Sequence, residues 1–87
     1  MGIEKLERRH VLTIMLYLYQ HKPRVLYTDL RKAFQGSEAI LQESLDLLKE
    51  GNLIEEHTNR DRIIVLTRKG LKIAEKIEEI NEIMETL

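Results

Sequence analysis

Few side chains in this sequence could do chemistry, and their spacing rules out most of it. His10, His21 and His57 are the only histidines, and no two of them stand at metal-ligand spacing. Cysteine is absent, which removes thiolate metal sites, disulfides and thiol nucleophiles together. No nucleophile is placed beside a base in the manner acyl or phosphoryl transfer requires. The four glycines are isolated, so they form no phosphate-cradling loop. We therefore expect no enzyme activity, no metal and no cofactor.

Charge and surface recognition remain. Asn59-Arg60-Asp61-Arg62 joins two β-prone runs, and a hairpin tip of this kind projects arginines towards phosphates or a narrow minor groove. Arg60 and Arg62 are thus the leading candidates for contact with duplex DNA. Arg31 and Lys32, with Lys22, Arg24 and Lys49, are further candidates for phosphate contacts. The hydroxyl of Thr28, at a helix start, is another.

A segment over about 37–50 reads as a helix capped by Ser37 and stopped by Gly51. Ile40, Leu41, Ser44, Leu45, Leu47 and Leu48 share one side of it, with Ala39, Gln42 and Asp46 opposite. Ser37, Ala39, Gln42, Glu43 and Asp46 are the residues this helix would present to a major groove. Its four acids against Lys49 alone give it a charge of −3, which a phosphate backbone would repel.

The elements that must position these groups follow from the hydrophobic pattern. Nothing breaks a helix from Ile3 to about His21, and the run Val11 to Tyr19 is apolar around most of its circumference. Such a helix needs cover on more than one side, and a second subunit could supply part of it. Arg24 to Tyr27 is a short β-prone stretch, and Thr28-Asp29 opens a short helix that Gly36 ends. Leu53 to His57 and Arg62 to Leu66 read as the strands of the hairpin. Thr67 caps a last helix of about 30 Å reaching Leu87. Ile73, Ile77, Ile80, Met84 and Leu87 recur at coiled-coil spacing along it, the signature of a pairing helix. Ile3 and Leu6 of the first helix are candidates for the same interface.

Eighty-seven residues make one small folding unit, of a size that often gains stability from a partner subunit. Residues 1–70 carry +2 and residues 71–87 carry −3, so a polyanion should meet the body and not the tail. The basic start and apolar run resemble a signal peptide only superficially, because Glu4 and Glu7 interrupt the one and the other is too short to span a membrane. A cytoplasmic protein is expected.

The fold class expected is mainly α with a small β-hairpin. A winged helix-turn-helix occupies 1–66, its third helix at about 37–50 and its wing at about 53–66, followed by a pairing helix at 67–87. The run from Leu30 through Gly51-Asn52-Leu53-Ile54 to Leu66-Thr67-Arg68-Lys69-Gly70 resembles prokaryotic winged-helix transcription regulators of the MarR, ArsR and PadR kinds, with an archaeal source expected. The resemblance implies a homodimeric regulator that binds duplex DNA. The acidic third helix keeps two alternatives open: a protein-interaction module, and a sequence-tolerant architectural DNA binder.

Overall fold

The computed structural model describes residues 10–86. Its elements, in order, are α1 (Val11–Gln20), β1 (Val25–Leu26), α2 (Tyr27–Ala33), α3 (Glu38–Glu50), β2 (Ile54–Thr58), β3 (Arg62–Leu66) and α4 (Arg68–Thr86). The fold is mainly helical with a three-stranded antiparallel sheet in the order β1-β3-β2. Ile3, Leu6 and Leu87, three of the expected interface residues, lie outside the described residues.

Three local expectations are corrected. The first helix does not run through His10, which takes a left-handed conformation at φ 60° and so marks the start of α1 at Val11. α2 opens at Tyr27 with Leu26 before it, so Thr28 lies inside the first turn and is not the cap. The same helix ends at Ala33, ahead of Gly36, because Phe34 is already extended at ψ 129°. α3 does stop at Gly51, and the residue after it, Asn52, adopts the left-handed turn. Asn52 N–H donates to the Lys49 carbonyl at 3.0 Å and Leu53 N–H to Leu48 at 2.9 Å, a Schellman closure that asparagine tolerates.

The core draws on every layer. Ile14, Met15 and Leu18 of α1 meet Leu30 of α2, Leu41, Leu45 and Leu48 of α3, Val25, Ile54 and Ile64 of the sheet, and Ala74 and Ile77 of α4. Each large aliphatic group so buried is worth about 1.5–3 kcal/mol relative to exposure. The apolar circumference of α1 is covered largely from within the chain, by α4, α3 and β3. On β3 the pleat places Arg62, Ile64 and Leu66 on one face, and Ile64 is fully buried. The register pairs Glu56 with Ile64 and Thr58 with Arg62, so Glu56 and Arg62 are diagonal neighbours on that inner face.

α4 is stitched to the α3–β2 corner through backbone. Thr67 Oγ1 accepts from Gly70 N–H at 3.0 Å and donates to the Asn52 carbonyl at 2.8 Å, while Thr67 N–H donates to the Leu53 carbonyl at 3.0 Å. Beyond this corner the face of α4 that packs inward is Gly70, Ala74, Ile77 and Asn81.

Candidate nucleic-acid interface

The hairpin tip and its base treat their two arginines differently. Arg60 is exposed at the tip and makes no hydrogen bond or ion pair among the described residues. Asn59 N–H closes the turn on the Asp61 carbonyl at 3.3 Å. Arg62, by contrast, is drawn inward. Its Nε and Nη2 grip the two oxygens of Glu56, Nη2 at 3.1 Å from Oε1. The guanidinium lies 4.0 Å over the Tyr27 ring, and Nη2 also donates to Gln42 Oε1 at 3.0 Å. Arg62, expected at the DNA, is instead engaged within the chain. The pleat turns it to the inner face, where a carboxylate, an aromatic ring and α3 hold it.

Lys49 belongs to the same cluster, 3.0 Å from Glu56 Oε1, so it is not a free phosphate contact either. Gln42 Nε2 donates to Asp46 Oδ1 at 3.0 Å, and Lys49 lies 3.8 Å from that oxygen. Glu38 accepts from the Tyr27 hydroxyl at 3.3 Å. The acids of α3 are therefore met by donors more fully than its charge of −3 implies. The Arg62 hydrogen bond, aided by Lys49 and opposed by burial, holds the Glu56 carboxyl down at about 2 from an ordinary 4.5.

A depressed carboxylate contributes stability in full above its unfolded value and loses it as pH falls towards its folded one. Glu56→Gln is expected to cost about 1–3 kcal/mol at neutral pH, as for a hydrogen bond to a charged group. The gap between parent and variant in urea melts should close between pH 4.5 and about 2. A gap independent of pH would show that the carboxylate is not the stabilising partner.

No protein-family model matches the sequence, and no curated protein matches it. Solved structures do. AF1382 from Archaeoglobus fulgidus superposes with a TM-score of 0.82 at 26% identity, over 95% of this chain and 96% of its own. A Porphyromonas gingivalis W83 protein assigned to the MarR family of transcriptional regulators gives 0.78 at 26% identity, over 98% of this chain and 87% of its own. Staphylococcus aureus MepR in complex with DNA gives 0.78 at 25% identity, over 97% of this chain and 65% of MepR. The chain has the winged-helix fold of prokaryotic transcription regulators.

In that fold α2 and α3 form the helix-turn-helix and the β2–β3 hairpin is the wing. Ala39, Glu43 and Asp46 are exposed on the outer face of α3, and Gln42 is half-buried beside the wing. Ser37 is exposed, but its hydroxyl already accepts from Ile40 N–H at 3.1 Å as the helix cap. Thr28 and Lys32 are exposed on α2, and Arg31 is half-buried. Glu56 and Tyr27 were missed by the sequence reading. Period-two alternation from Ile54 and Ile64 was the signal that would have placed Glu56 and Arg62 together.

The expected seam on α4 divides. Ile77 is only 5% exposed because it enters the chain's own core against α1, so it is not an available interface residue here. Ile73 and Ile80 stay exposed, Met84 is half-buried, and Ile83 adds an apolar group that the seam omitted. An apolar cavity of about 40 Å³ lies between α1 and α2, lined by Ile14, Tyr17, Leu30 and Phe34 among others. Drug-sized ligands need roughly 300 Å³ or more. Among the described residues there is no cluster of three metal-ligating side chains, and no helix long and apolar enough to cross a membrane.

Proposed function

We propose that the chain is a homodimeric, non-enzymatic transcription regulator that binds duplex DNA through α3 and the wing. The observation that carries this reading is the exposed, unengaged Arg60 at the end of a hairpin braced against α3 by Arg62 and Glu56. A cation held out on a stiff hairpin suits a phosphate or a narrow minor groove, while Thr28, Arg31 and Lys32 on α2 offer backbone contacts. MepR, similar in fold, was solved on DNA, which supports the same reading. Ser37, Ala39, Gln42, Glu43 and Asp46 then face the major groove. Pairing through Ile73, Ile80 and Met84, with Ile83, would cover the apolar stripe that the chain itself leaves exposed on α4.

Arg60→Ala tests it. The variant should bind duplex DNA more weakly, with a salt dependence shallower by about 0.9 for each phosphate no longer neutralised and about twice that in a dimer. Circular dichroism should not change, because the exposed tip holds none of the core. Equal affinity and equal salt slope in parent and variant would remove the wing from the interface. Failure of the parent to bind any duplex would turn the acidic face of α3 towards a protein partner instead.

A further inference from the structure

We propose that Gln42 is a pre-oriented adenine reader, its amide locked by Arg62 on one side and Asp46 on the other. The inference rests on the DNA-binding reading above and adds the base that α3 selects. A glutamine amide has two N–H donors on nitrogen and two lone pairs on oxygen. Arg62 can only donate, so the atom 3.0 Å from its Nη2 must be the amide oxygen. Asp46 as a carboxylate can only accept, so the atom 3.0 Å from its Oδ1 must be the amide nitrogen. Rotating the amide by half a turn would set donor against donor and acceptor against acceptor. The orientation of this side chain is thus decided by its neighbours before any ligand arrives.

One N–H and one lone pair remain after these two bonds. Adenine presents N7 as an acceptor and N6 as a donor side by side in the major groove, which matches that remaining pair. Guanine presents two acceptors, and its O6 would face the amide oxygen. A free glutamine could turn its nitrogen towards guanine. A locked one cannot, so the lock converts a permissive side chain into a selective one. Arg62 itself is held by Glu56 and stacked on Tyr27, and Lys49 braces Glu56. Arg62 and Glu56 act as positioning residues, since they orient Gln42 without touching the base.

The test is selection from a randomised duplex library with the parent, Gln42→Ala and Arg62→Lys proteins. Affinities are then measured on duplexes that differ at the one enriched adenine. The parent should favour adenine over guanine at one position in each half-site, and Gln42→Ala should reduce that preference by about ten-fold. Arg62→Lys keeps the charge but not the fork, and should weaken preference at that same position while leaving the other positions of the motif as they were. An enriched motif identical in parent and Gln42→Ala overturns the adenine reader while DNA binding stands. A uniform weakening across the motif in Arg62→Lys overturns the positioning role. If the parent retains no duplex from the library, both the inference and the DNA reading fall.

Discussion

Gly70→Ala is expected to destabilise the domain by about 3 kcal/mol or more, the upper range of overpacking, in a chain whose whole stability is on the order of 5–10 kcal/mol. A Cβ at this position would sit 1.9 Å from the Leu53 carbonyl oxygen and 2.9 Å from its carbon. Those atoms are backbone and cannot rotate away. The Leu53 carbonyl is fixed by Thr67 N–H, and Thr67 Oγ1 ties both Gly70 N–H and the Asn52 carbonyl, so the three segments can separate only by breaking this corner. Helix propensity runs the other way, since alanine is better than glycine by about 1 kcal/mol in a helix interior. The close approach must overwhelm that gain. Urea denaturation gives the answer, and an unchanged or higher midpoint for Gly70→Ala would mean that the two backbones do not meet as described.

Ile77→Glu and the pair Ile73→Glu with Ile80→Glu should have opposite consequences, although all three residues recur on one apolar stripe. Ile77 is 5% exposed against α1, and a carboxylate there would be desolvated without a partner. Ile77→Glu should therefore unfold the chain or cost several kcal/mol. Ile73 and Ile80 are 38% and 43% exposed, so their replacement should leave the monomer folded, within about 0.5 kcal/mol at each site. Under the proposed pairing, two charges per subunit would nevertheless enter an apolar contact, and the dimer should separate. Sedimentation with circular dichroism distinguishes the cases. A parent that stays monomeric at high micromolar concentration, or a double variant that still pairs, would remove this stripe from the interface.

Both predictions depend on contacts between segments distant in the chain, and there the sequence reading was weakest. Local signals were legible. Ser37 does cap α3, whose observed span Glu38–Glu50 follows from the cap and from the period of its leucines. β3 occupies the expected Arg62–Leu66, and Thr67 does cap α4 through Gly70 N–H. Each of these rests on interactions within a few residues, which propensity and period can report. The resemblance in Gly51-Asn52-Leu53-Ile54 and Leu66-Thr67-Arg68-Lys69-Gly70 was legible too, but as a pattern without a cause. Its cause is the meeting of Leu53, Thr67 and Gly70 in space.

Amino-acid order alone determined the succession of elements, the Ser37 and Thr67 caps, the hairpin, and the balance of charge between body and tail. It left open which apolar stripe of α4 turns inward, because Ile73-Ile77-Ile80 and Gly70-Ala74-Ile77-Asn81 both follow helical spacing. Packing chose the second: small residues let α4 approach its neighbours closely, and no scale of hydrophobicity credits a glycine for that. It also left open the fate of the wing arginines. Arg60 and Arg62 are alike in type and two residues apart, yet one lies in the turn and the other on the pleat facing Glu56. Only the tertiary structure separates the exposed cation from the buttress, because a carboxylate six residues away becomes a neighbour once the strands pair.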